Sequence, residues 1–138
     1  MLLNRHLFVY GTLLYESVWQ EIVGHHSPKH EAKILDWERF YVKEKCYPGI
    51  KYLPSAEVDG ALVTNLTADD WRKLDDFEDD IYSKKLLDVH VSDGSVVHAY
   101  VYAVEDGNDS FLSDKIWDAA EFERNKLEEF MRILKFRH

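Results

Sequence analysis

The chain has 138 residues, 46% of them apolar, and a net charge of −9 from 26 acidic and 17 basic residues. That length supports one compact domain, residues 1–138, around a single buried core, and the acidic balance argues against nucleic acid or an anionic membrane as a partner. No run of about 18 apolar residues occurs and Met1-Leu2-Leu3 is interrupted by Asn4, Arg5 and His6, so neither a membrane span nor a secretory signal is expected and the expected address is the cytosol.

Residues 7–10 read as a buried strand that runs into Gly11-Thr12-Leu13. Glycine permits a sharp turn and presents no side chain, so such a strand end can aim backbone N–H groups at a ligand. The same pattern also describes an ordinary strand end, with Gly11 relieving strain and Tyr10 packed in the core. Residues 16–23 form an amphipathic helix that stops at Gly24, a C-terminal signal. His26 and His30 follow four apart, but Pro28 lies between them and no further ligand completes a set, so no metal site is expected.

Strand-forming runs then cover residues 32–42, 47–53 and 58–66, broken at Glu44-Lys45, Pro48-Gly49 and Pro54-Ser55, which predicts several strands joined by short turns. Cys46 is the only cysteine, which excludes an intramolecular disulfide. With no base paired to it in the sequence, it reads as a small core thiol and not as a nucleophile.

Thr67 is the expected N-cap of a helix whose first turn carries Asp69 and Asp70. Trp71, Leu74 and Phe77 or Glu78 share one face at three-and-four spacing. If Trp71 and Leu74 point into the core, Glu78 points inward with them while Asp75, Asp76 and Asp79 face water. A carboxylate buried in that way has a raised pKa and can serve as a base near neutral pH. On pattern alone, however, the default for an acid in so acidic a run is a solvated helix end.

Residues 85–91 and 96–104 form a hairpin across Asp93-Gly94, with Val97, Ala99, Val101 and Ala103 on one face and His98, Tyr100 and Tyr102 on the other. Asp106-Gly107-Asn108-Asp109 lacks the spacing and terminal glutamate of a calcium loop and reads as a turn. From Ser113, as its cap, the chain is expected to be helical through residue 137, with Trp117, Ala120, Leu127, Phe130, Met131 and Leu134 for packing. Strands outnumber helices without regular βαβ alternation. The expected fold class is therefore α+β: a mixed or antiparallel sheet, curled or closed into a small barrel over residues 7–104, flanked by helices and extended by a long C-terminal helix at 113–137.

Four segments in order, Phe8-Val9-Tyr10-Gly11-Thr12-Leu13, Tyr47-Pro48-Gly49-Ile50, Gly60-Ala61-Leu62 and Leu74-Asp75-Asp76-Phe77-Glu78 with Tyr82, resemble the gamma-glutamyl cyclotransferase-like superfamily over about residues 7–104. Within it the chain is most similar to the plant-type avirulence-induced-gene-like proteins and the gamma-glutamylamine cyclotransferases. The resemblance implies a compact barrel flanked by helices and a reaction that uses neither cofactor nor water. In that reaction the free α-amine of a small gamma-glutamyl substrate attacks its own γ-carbonyl, closes 5-oxoproline and expels the attached amine. It assigns Glu78 the role of general acid and base. It assigns substrate binding to Tyr10, Gly11, Thr12, Leu13 and Tyr82, with the backbone N–H groups around Gly11 to Leu13 stabilising the oxyanion. One departure is visible: Tyr82-Ser83-Lys84 keeps a positive charge where relatives usually show arginine, without the planar fork. Two other classes fit the same residues. One is a binding module of this fold that holds an amino-acid-like anion or a peptide without turnover; the other is an interaction protein that recruits a partner through its aromatic surface and C-terminal helix.

Overall fold

The computed structural model of the chain describes residues 5–78, 80–105 and 107–137. Met1 to Asn4, Asp79, Asp106 and His138, and the readings above that rest on them, lie outside the described residues.

The short strand β1 (Leu7–Val9) organises the sheet. It runs antiparallel to β3 (Pro48–Val63), with Phe8 opposite Leu62, and parallel to β5 (Val96–Val104), with Phe8 opposite Val101. Strand β5 pairs antiparallel with β4 (Tyr82–Val91), β4 with β2 (His30–Val42), and β2 with β3. These pairings close five strands into a barrel, and β6 (Leu112–Ile116) adds to the outer edge of β2. The α+β class and the mixed, barrel-like sheet expected from the sequence are present.

Alternation along the strands divides the core in two, because successive side chains point to opposite faces of a sheet. Phe8, Ile34, Ile50, Val58, Leu62, Val89, Ala99 and Val101 fill the barrel. Leu7, Val9, Val63 and Tyr102 point outward and are covered by Val18, Trp19 and Ile22 of α1 (Glu16–Val23), Leu74 of α2 (Ala68–Phe77) and Leu134 of α4 (Leu127–Arg137). Each such apolar side chain removed from water contributes roughly 1.5–3 kcal/mol. From Ala99 onward the two faces expected for the 96–104 arm are both covered, one inside the barrel and one beneath the helices, while Val96 and His98 at its start are exposed.

Helix termini follow the local chemistry. Helix α1 ends at Gly24 in the left-handed region, φ +91°, where glycine has no steric penalty. Helix α2 begins with a reciprocal cap: Thr67 Oγ1 accepts from the Asp70 N–H at 3.1 Å and the Asp70 carboxylate accepts from the Thr67 N–H at 3.0 Å.

Two expectations are corrected. The breaks expected at Pro48-Gly49 and at Pro54-Ser55 both lie inside β3, which begins at Pro48 opposite Tyr41 and continues to Val63. Ser55 and Asp36, on facing strands, both take positive φ, and the Asp36 side chain accepts the Ser55 N–H at 2.9 Å, so β2 and β3 bend together instead of ending. The C-terminal helix expected over 113–137 begins later and is broken. Residues 112–116 form β6, with Leu112 opposite Val42 and Ile116 opposite Phe40. Asp118, not Ser113, caps α3 (Ala119–Asn125), its carboxylate accepting the N–H groups of Ala120 and Glu121. Lys126 leaves helical geometry at φ −128°, ψ −23° before α4 starts.

Candidate active site

One cavity of about 430 Å³ opens where β1 leaves the barrel. Tyr10, Gly11, Thr12, Leu13, Glu78 and Tyr82 all line it, so the six residues singled out from the sequence meet in one place although they come from three separate segments.

The floor is built by the end of β1. After Val9 the chain turns at Gly11 into a single 3-10 turn, Thr12–Leu14, with the Leu14 N–H donating to the Gly11 carbonyl at 3.0 Å and the Tyr15 N–H to the Thr12 carbonyl at 3.2 Å. The first N–H groups of such a turn have no partner within it. Gly11 passes so close to Pro48 that a β-carbon there would lie 2.8 Å from the proline ring, so glycine is required by proximity. Thr12 and Leu13 are buried.

Glu78 reaches the cavity by a different route from the one the helical spacing suggests. Helix α2 ends at Phe77, and Glu78 is its C-cap in extended geometry, φ −69° and ψ 144°, with its N–H donating to the Leu74 carbonyl at 3.1 Å. The turn out of the helix, and not a shared face with Trp71 and Leu74, directs it to the cavity, where it is half-buried. Its charge is felt by two tyrosines. Burial foremost, and then the Glu78 carboxylate, push the Tyr10 hydroxyl well above its ordinary pKa, while Arg39 opposes them. Burial, a hydrogen bond to Asp75 and the Asp75 and Glu78 charges likewise raise Tyr102. Both phenols are therefore held neutral, as hydrogen-bond donors.

Those donors are already committed to the frame. The Tyr10 hydroxyl donates to the Tyr102 carbonyl at 2.6 Å, the Tyr102 hydroxyl to Asp75 Oδ1 at 2.6 Å, and the Tyr82 hydroxyl to the Pro48 carbonyl at 2.5 Å. Tyr10 and Tyr82 thus carry a structural bond as well as a place on the cavity wall, and each hydroxyl oxygen retains acceptor capacity.

Several lining residues were not singled out from the sequence. Asp76 and Asp80 flank Glu78 and read as solvated acids, yet both line the cavity. Phe130, Ile133 and Leu134 of α4 close its far wall, with the Phe130 ring edge-on to Phe77 at 6.5 Å. No lysine, arginine or histidine lines the cavity among the described residues. Lys84, where the resemblance implies an arginine, lies elsewhere: its ammonium pairs with Asp75 at 3.2 Å and sits 4.6 Å from the centre of the Trp71 ring. Cys46 is half-buried outside this cavity, and burial pushes its thiol upward, away from the reactive thiolate.

Comparison with known proteins identifies the family and the fold. The sequence profile described as "Gamma-glutamyl cyclotransferase, AIG2-like" matches residues 7–119, and the chain belongs to that family. It is 31% identical to AIG2-like protein C of Arabidopsis thaliana over 133 residues, which is 94% of this chain and 75% of that protein. It is 29% identical to AIG2-like protein D of the same plant, over 94% of this chain and 86% of that one. Among solved structures, an Arabidopsis thaliana protein in solution superposes with a TM-score of 0.73 at 21% identity, covering 99% of this chain and 83% of that chain. A structure described as gamma-glutamyl cyclotransferase superposes with a TM-score of 0.66 at 14% identity, covering 96% and 87%. Among the described residues, no helix is long and apolar enough to cross a membrane.

Proposed function

We propose that this protein cyclises a gamma-glutamyl amine or dipeptide to 5-oxoproline, with release of the free amine and with Glu78 as general acid and base. The observation that carries this reading is the meeting of Glu78 with the Gly11 to Leu13 turn on one cavity. Membership of the family supports the reaction type.

The chemistry needs two things from the protein. The α-amine must lose a proton as it attacks the γ-carbonyl, and the departing nitrogen must gain one as the original amide bond breaks. A single carboxylate beside both nitrogens does this in sequence, ending in the protonation state in which it began. As the new C–N bond forms, negative charge develops on the carbonyl oxygen. The N–H groups heading the Thr12–Leu14 turn are the donors suited to hold it, each worth about 3 kcal/mol in systems of this kind. Tyr10 and Tyr82 complete the wall against which the substrate lies. The reaction as written consumes no water and needs no cofactor, and its place in this reading is the cytosol.

The test is incubation of the purified protein and its Glu78→Gln variant with gamma-glutamyl amines and dipeptides, following 5-oxoproline by mass spectrometry. Production by the wild type and loss in the folded variant is the expected result. Silence from both, with a ligand that stabilises the protein thermally and is recovered unchanged, would replace this reading with a binding module.

A further inference from the structure

We propose that Arg39 is a positioning residue that sets the direction of the Gly11 N–H, an inference that rests on the cyclotransferase reading of the cavity. Arg39 lies on β2 and is not part of the cavity lining. Its guanidinium reaches across to the end of β1, where Nη1 donates to the Tyr10 carbonyl at 2.7 Å and, at 3.3 Å, to the Asp59 carbonyl of β3.

The Tyr10 carbonyl is a sensitive place to hold. The pairing of β1 with β3 stops at Val9 opposite Ala61, so Tyr10 is the first residue beyond that ladder, and Arg39 supplies its carbonyl with a donor. The peptide bond between Tyr10 and Gly11 is trans, and in a trans peptide the C=O and the following N–H point to opposite sides of the chain. Drawing the Tyr10 oxygen toward Arg39, outside the cavity, turns the Gly11 N–H the other way, toward the cavity that Gly11 lines. One guanidinium that is not part of the cavity lining therefore orients a donor that it never touches.

Arg39 is held for this task at a cost to itself. Its Nε is buried with no partner among the described residues, although buried polar groups are ordinarily satisfied and a missing bond costs free energy. The planar group lies 5.2 Å from the centre of the Trp117 ring, whose own indole N–H is fixed on the Cys46 carbonyl at 2.8 Å. The Trp117 backbone N–H returns to the Arg39 carbonyl at 3.0 Å. A lysine could reach one carbonyl but could not stack in this way or keep the same direction.

The experiment compares the wild type with Arg39→Met and Arg39→Lys by amide NMR and by 5-oxoproline kinetics, with the Trp117 indole resonance and thermal melting as controls of folding. In folded Arg39→Met, the Gly11 amide resonance is expected to move. Its kcat is expected to fall about ten- to a hundredfold, the scale of a small misplacement at a reacting centre, with little change in KM, and Arg39→Lys is expected to recover part of both. An unchanged Gly11 amide, or a displaced one with wild-type kcat, would overturn the proposal. If Arg39→Met does not fold, the same two readouts on Arg39→Lys decide it. A wild type that forms no 5-oxoproline would refute the cyclotransferase reading instead, and the Gly11 amide response would then decide by itself whether Arg39 anchors the turn.

Discussion

Gly11 and Pro48 approach so closely that a β-carbon on Gly11 would lie 2.8 Å from the proline Cγ and 3.0 Å from its Cδ. Pro48 cannot retreat easily, since it begins β3 and its carbonyl is held by the Tyr82 hydroxyl. Gly11→Ala is therefore expected to push the turn away from β3. Overpacking of this kind costs about 1–3 kcal/mol, measurable as a lower urea midpoint at unchanged slope. Formation of 5-oxoproline should fall further than the loss of folded protein explains, because the displaced element carries the proposed oxyanion donors.

Tyr82→Phe separates the wall from the chemistry. The variant keeps the ring but leaves the buried Pro48 carbonyl without its donor, a change worth about 1–3 kcal/mol. Chemical denaturation should show that loss, while kcat stays far above that of Glu78→Gln. A Tyr82→Phe variant as inactive as Glu78→Gln would move the hydroxyl from the frame into the reaction.

The loop after α1 is fastened to the start of α2 by a pair that titrates. His25 Nε2 lies 2.9 Å from Asp70 Oδ1, and His25 Nδ1 lies 3.0 Å from the His26 carbonyl, so both ring nitrogens face acceptors. The His26 carbonyl and then the Asp70 side chain raise His25 above its ordinary 6.5, opposed by partial burial and by Lys73. Burial works against the Asp70 charge, but hydrogen bonds from Thr67 and His25 outweigh it and hold Asp70 below its ordinary 3.8. A raised histidine stabilises the fold below its unfolded pKa and loses that contribution as pH rises through its folded value; a lowered aspartate loses its contribution as pH falls through its folded value. The difference in melting temperature between wild type and His25→Gln should thus be greatest between about pH 4 and 6.5 and shrink above that range. The effect should be small and salt-sensitive, since the His25 side chain is 52% exposed.

What the sequence made legible was whatever is decided within a few residues. The Thr67 cap, the Gly24 stop and the two faces of the 96–104 arm are local patterns, and each appears where the spacing puts it. Residues 112–116 were not legible as a strand, because their Leu-Ser-Asp-Lys-Ile pattern carries no strong period and their pairing partner, β2, is set by tertiary structure. The bend at Asp36 and Ser55 is equally non-local: two residues on facing strands take positive φ together, which neither reveals alone. Within the site, Gly11 and Glu78 were legible through resemblance, whereas Asp76, Asp80 and the α4 wall looked like ordinary surface acids and ordinary helix packing. Arg39 gave no signal, since its partner is a main-chain carbonyl far along the chain.

Phe122 joins the C-terminal helices to the site, which gives the far wall its own test. The ring is buried and lies 5.4 Å from Tyr15, 5.8 Å from Trp117 and 5.6 Å from Phe130. Tyr15 follows directly after the Thr12–Leu14 turn and ties it to α3 by donating its hydroxyl to the Ala119 carbonyl at 2.8 Å. Phe130 forms the cavity wall. Phe122→Ala removes the piece that both lean on and is expected to cost about 3–5 kcal/mol, a large share of the roughly 5–15 kcal/mol that stabilises a typical domain. Assayed well below its melting temperature, the variant should show a raised KM with kcat less affected, because the wall loosens while Glu78 and the turn keep their own anchors. Phe122→Leu, which refills most of the volume, should recover both stability and KM; a Phe122→Ala protein with wild-type KM would mean that α4 holds its place without this contact.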